Sequence, residues 1–103
     1  MKTKYQEQAA FFFIFGKLCG SGYSLYATLD VLSSEPIPER LRKIAAYWQA
    51  QLKTGQFKIS GPAAKKEFAP WVLDLLALGE KGGNLDVIPV TIAEILQKMG
   101  EFQ

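Results

Sequence analysis

Apolar residues recur along this chain at helical spacing, and glycine, proline and short polar residues divide them into six blocks. The first predicted helix runs from about Tyr5 to Cys19, with Phe11, Phe15, Leu18 and Gly22 spaced along one face. It ends at Gly20-Ser21-Gly22, where glycine can take the left-handed conformation that closes helices. Ser24 caps a second helix, Leu25 to Leu32, whose inner face is Leu25, Leu29 and Leu32. Ser33-Ser34-Glu35-Pro36-Ile37-Pro38 is a stop and restart, because proline is tolerated only where a first turn needs no donor. The third helix, near Pro38 to Thr54, points Leu41, Ile44, Ala45, Trp48 and Leu52 inward and Arg40, Arg42, Lys43 and Gln49 outward.

Gly55 closes that helix, and a short loop with Phe57 and Ile59 leads to Ser60, the predicted cap of a brief fourth helix through Pro62 to about Phe68. Ala69-Pro70 restarts the chain, and Trp71, Val72, Leu75, Leu76 and Gly79 line the fifth helix until Gly82-Gly83 ends it. Asn84 is the predicted cap of the sixth, which gathers Leu85, Ile88, Ile92, Ile95, Leu96 and Met99 on one side. Pro89 either kinks this helix or marks an irregular first turn, with the regular helix starting nearer Ile88. No alternating stretch of strand length interrupts the series. The expected fold is therefore all-α, a compact six-helix bundle of antiparallel helices on short loops.

Composition changes this picture in two ways. A chain of 103 residues with 49% hydrophobic content can build one core and is too short for two, so residues 1–103 read as a single domain. Charge is segregated along it. Residues 1–36 balance, residues 37–66 carry seven basic residues against Glu39 alone, and residues 67–103 carry two lysines against six acids. Such polarity can present basic and acidic faces to different partners.

Candidate chemistry is sparse. The chain has no histidine, which removes the usual general base and the commonest transition-metal ligand. Its single Cys19 cannot form an internal disulfide and reads as a small apolar side chain. With no nucleophile beside a base, no phosphate-binding glycine loop and no metal cluster, an enzyme is not expected, nor a cofactor. The run Ala9 to Phe15 is interrupted by Gly16 and Lys17, well short of the ~20 apolar residues of a spanning helix. Its four phenylalanines cover more than one side of a helix, so Phe12 or Phe13 is a candidate homodimer contact.

Several of these residues together resemble a known family. Phe15 and Leu18, then Ser21-Gly22-Tyr23-Ser24-Leu25 with Ala27 and Leu29, then Leu41, Ile44, Leu52 and Gly55, then Gly79-Glu80-Lys81-Gly82 with Leu85, resemble the cytoplasmic domain of the inner-membrane platform protein of type II secretion systems and type IV pili. The resemblance runs from about Phe11 to Leu96. It implies a six-helix domain on the cytoplasmic face of the inner membrane, a fragment of a longer polytopic protein. The implied role is an adaptor between an assembly ATPase, other platform components and the pilin or pseudopilin subunits. The domain's start close to the first residue resembles the pilus-type members more than the secretion-type. Two stretches depart from the family pattern: Gln56 to Ser60, where a helical Ser-Leu-Ser segment is usual, and Pro89, where the helix is usually unbroken.

In this setting Ser21, Gly22, Gly79, Glu80, Gly82, Asn84 and Leu85 read as a structural motif, Gly79 permitting close helix packing and Glu80 accepting bonds from free backbone donors. Asp74, Glu80 and Asp86 flank the same turn and form a candidate cation site. Arg40, Arg42, Lys43, Lys65 and Lys66 are the candidate partner-binding residues, facing an acidic patch on the ATPase or anionic lipid headgroups. Nucleic acid is not the expected partner, since Tyr47 and Trp48 occupy core positions and do not interleave with exposed cations. The alternative from another class is a free-standing soluble helical regulator or nucleic-acid-binding module.

Overall fold

The computed structural model describes residues 2–34 and 36–102, so Glu35, inside the predicted break, lies outside the described residues. These hold six α-helices and no strand: α1 Lys4–Gly20, α2 Leu25–Leu32, α3 Glu39–Thr54, α4 Pro62–Glu67, α5 Pro70–Gly82 and α6 Ile88–Glu101. Among the described residues no helix is long and apolar enough to cross a membrane.

Helix ends follow local chemistry closely. Thr3 and Gln6 form a reciprocal capping box at the start of α1, Gln6 N donating to Thr3 Oγ1 at 3.1 Å and Thr3 N to Gln6 Oε1 at 3.0 Å. Ser24 Oγ accepts from Ala27 N at 3.0 Å, as its position ahead of α2 predicts. The helix α5 closes through Gly83 at φ +75°, which lets Asn84 N reach back to Gly79 O at 2.8 Å. Gly22 and Gly55 close α1 and α3 in the same left-handed conformation.

Two predicted caps are corrected. Gly61, not Ser60, is the N-cap of α4, because Pro62 occupies the first helical position and the cap must be the residue before it. Asn84 does not cap α6 either. Its carbonyl accepts from Val87 N and Ile88 N in an irregular turn, and the regular helix begins at Ile88. Proline supplies the reason: a helix running from Leu85 would need a donor at Pro89 and would drive its ring into the Leu85 carbonyl.

The bundle is organised around α1 and α6, which pack antiparallel along their lengths. Glycine sets the approach at both ends. A Cβ on Gly16 would lie 2.6 Å from Val90 Cγ2 and 3.1 Å from Asp86 O, and one on Gly100 would lie 2.8 Å from Gln6 Cγ. The helix α2 packs antiparallel on α3, with Gln49 donating to Tyr26 O and Asp30 Oδ1. Short α4 bridges α3 and α5.

An aromatic cluster fills the centre. Phe12 lies 4.9 Å from the ring of Phe68 and 5.2 Å from that of Phe11, and Phe15 meets Trp48 edge-on at 6.3 Å. All of α1's Gln8, Ala9, Phe11, Phe12, Phe15 and Gly16 are buried. At 3.6 residues per turn these span an arc of about 160°, nearly half the helix circumference. The predicted stripe of Phe11, Phe15, Leu18 and Gly22 sat along one edge of this arc; Leu18 is half-buried and Gly22 exposed. Phe12 is fully buried within the single chain, so it offers nothing to a homodimer, whereas Phe13 is 48% exposed. On α3 Leu41, Ile44, Ala45 and Trp48 are buried as predicted and Leu52 is half-buried, but Tyr47, expected in the core, is exposed. Ile95 on α6 is likewise exposed, while Ala93 takes the buried position.

Candidate functional site

Charged residues of α1, α3 and α4 meet at the start of α3. Arg40 Nη2 contacts Glu7 Oε1 at 2.8 Å, and Arg40 Nε donates to both Glu67 oxygens at 3.0 and 3.1 Å. Gln8, itself buried, donates Nε2 to Glu67 Oε2 at 2.8 Å and to Glu67 O at 3.1 Å. The network ties three helices together. Desolvation opposes the guanidinium charge, but the bonds and fields of Glu7 and Glu67 outweigh it and raise the Arg40 pKa.

Arg40 is thus committed to an internal clamp and is not a cation held out for a partner, which corrects its assignment. Arg40→Met is expected to lower stability by about 1–2 kcal/mol, discounted because the guanidinium side is partly hydrated. A urea titration checks it, with Lys43→Met as the comparison. Lys43 pairs with Glu39 across one helical turn at 3.4 Å, with both side chains well exposed, so its loss is expected to cost less than about 0.5 kcal/mol.

Of the remaining candidate cations, Arg42 is half-buried, while Lys43, Lys65 and Lys66 are exposed. The Arg40–Glu67 bond brings the beginning of α3 against the end of α4. It therefore gathers Lys43, Lys65 and Lys66 on neighbouring elements. Tyr47, exposed and one helical turn beyond Lys43, joins that face.

The glycine turn between α5 and α6 is a packing device. A Cβ on buried Gly79 would lie 3.1 Å from Leu85 Cδ2 and 3.2 Å from Ile88 Cβ, so only glycine allows this approach without movement. Half-buried Glu80 reaches across to the loop before α4, where its Oε1 accepts from Ile59 N at 3.4 Å. At the other corner, Ser21 Oγ donates to Lys17 O at 2.8 Å as α1 ends.

The predicted trio Asp74, Glu80 and Asp86 is not assembled. Among the described residues no three acidic, histidine or cysteine side chains are placed to share an ion. Asp74 and Glu80 are six residues apart on α5 and so lie about 120° apart around it. Asp86 belongs instead to a cleft with Gly16, Lys17 and Gly20 at the far end of α1.

Cys19 contacts Thr28 Oγ1 at 3.6 Å; burial pushes its thiol pKa up, opposed by the Thr28 contact and aided by Asp86. The neutral thiol is therefore favoured at physiological pH.

One surface escapes sequence reasoning altogether. A shallow groove of about 630 Å³ runs between α1 and α6, floored by Ala9, Ala10 and Ala93 and walled by Phe13 and Gln97. Lys17 Nζ stands 5.5 Å over the Phe13 ring beside it. Its alanines carry no chemical signal in the sequence, and only the pairing of the two helices turns them into a floor. No family model, curated protein or solved structure matches this chain.

Proposed function

We propose that the chain is a non-catalytic adaptor domain of an inner-membrane assembly platform of the type IV pilus or type II secretion kind. In that role it faces the cytoplasm and couples an assembly ATPase to pilin or pseudopilin assembly. The observation that carries the reading is the pair of corners: Ser21 to Leu25 closes one helix and caps the next, and Gly79 to Leu85 packs α5 on α6 through a glycine. These are the segments on which the family resemblance rests, and six helices in this order are what that resemblance implies. Exposed Lys43, Lys65 and Lys66 supply a basic face suited to an acidic surface on the ATPase.

The test is binding of the purified chain to the purified assembly ATPase of the source cell, followed by biolayer interferometry. Lys65→Glu with Lys66→Glu is expected to weaken binding by at least about tenfold, with the larger loss at low salt. Absence of binding to the ATPase would overturn the reading. The rival, a nucleic-acid-binding module, draws support from exposed Tyr47 beside Lys43. Salt-sensitive DNA or RNA binding abolished by charge reversal at Lys43 would promote it.

A further inference from the structure

One end of the bundle collects the N-terminus of α1, the C-terminus of α4, the N-terminus of α5 and the C-terminus of α6. Their proximity is fixed by the Gln8–Glu67 bonds and by the approach of Gly100 to Thr3 and Gln6. A cleft of about 390 Å³ opens there, lined by Lys4, Tyr5, Phe68, Trp71 and Met99 among others. Trp71, Tyr5 and Met99 are half-buried in it, and Phe102, one turn past Met99, is 90% exposed. Exposed Lys4 lines the cleft; of the other exposed lysines at this end, Lys65 and Lys66 directly precede Glu67 on α4, and Lys2 and Lys98 line the neighbouring groove between α1 and α6. Of the carboxylates at this end, Glu7 and Glu67 are held by Arg40, while Asp74, one turn past Trp71, and Glu101 are exposed, so the lysines remain in excess.

We propose that this end of the bundle is a docking surface for an anionic membrane, the lysines meeting lipid headgroups while Phe102 and Trp71 enter the interfacial layer. At the cleft itself, the pairing of Lys4 and nearby Lys2 with aromatic groups argues for a bilayer over a purely acidic protein surface. Lysines alone would satisfy either, but an acidic protein face gives no reason for an exposed phenylalanine and a half-buried tryptophan among them. Tryptophan and other aromatic rings favour the headgroup boundary, where one edge is apolar and the other wet. Anionic headgroups draw basic residues placed within a Debye length of them. The inference adds to the adaptor reading the surface that meets the bilayer, and it does not depend on the ATPase.

The test uses the purified full chain and synthetic vesicles, in sedimentation at low and high salt. The chain is expected to sediment with vesicles of equal phosphatidylglycerol and phosphatidylcholine at low salt, and not with phosphatidylcholine alone. Lys2→Glu with Lys4→Glu, and separately Phe102→Ser, are each expected to weaken binding at least about tenfold. Lys53→Glu with Lys81→Glu, at the opposite ends of α3 and α5, is expected to leave it unchanged. Fluorescence gives a second readout. The chain has two tryptophans and Trp48 is buried, so a blue shift on anionic vesicles that disappears in Trp71→Phe places the cleft at the bilayer. Failure to sediment, equal loss in the control pair, or equally tight binding to polyglutamate would overturn the proposal. Because no ATPase is present, its failure leaves the adaptor reading standing, and failure of ATPase binding leaves this one standing.

Discussion

Phe12→Ala is expected to destabilise the domain by about 3–5 kcal/mol, while Phe13→Ala changes stability by less than about 0.5 kcal/mol. The two residues are adjacent in sequence and identical in type, so the contrast isolates position. Phe12 is fully enclosed, its ring packed against Phe11 and Phe68, and truncation leaves a cavity that the neighbouring rings are too rigid to fill. Phe13 lies on the groove between α1 and α6 and is 48% exposed, so its removal opens no void. With total stability of a small domain at about 5–15 kcal/mol, the Phe12 variant stands near the threshold of unfolding. Urea titrations of both variants followed by far-ultraviolet circular dichroism decide the matter, and equal losses would show that the assigned face of α1 is wrong.

Gly16→Ala is the second large effect, and its sign is the informative part. In an exposed helix interior the same change is stabilising by about 1 kcal/mol, since alanine forms helices better than glycine. Here the new methyl group would stand 2.6 Å from Val90 Cγ2 and 3.1 Å from both Asp86 O and Val90 N. Either α1 and α6 separate along their shared length or the start of α6 shifts, and the net expectation is a loss of about 1–3 kcal/mol. Adding Val90→Ala relieves only the side-chain contact and not the two backbone ones, so recovery in the double variant is expected to be partial. Stabilisation by Gly16→Ala alone would mean that the two helices are not held this close.

The contrast between well-read and misread elements has a physical pattern. Gly22, Gly55 and Gly83 end their helices as expected because a left-handed residue is a local requirement that only the residue itself must satisfy. Pro62 and Pro70 begin α4 and α5 for an equally local reason. Ser60 and Asn84 were misassigned because a capping side chain competes with its neighbours, and the adjacent prolines decided where the first turn formed.

The face of α1 was harder to read. Gln8 lies in the middle of the buried arc, where a polar residue normally signals solvent, and it is tolerated only because Glu67, 59 residues away, satisfies its amide. The phenylalanine run offers no polar contrast that would locate the outer side. Arg40 shows the same limit for function. In sequence it is one of a row of helix-surface cations, and its partners Glu7 and Glu67 come from two other helices.

The sequence by itself therefore determined the all-helical class, the number and order of helices, the glycine-closed ends of α1, α3 and α5, and most of the inner stripe of α3, all set within a few residues of chain. The tertiary structure alone decided which half of α1 is buried, that Arg40 clamps three helices, that Asp74, Glu80 and Asp86 stay apart, and that lysines and aromatic groups meet at one end. Each of those outcomes depends on contacts between residues far apart in the chain, whose energies exist only once the helices have packed.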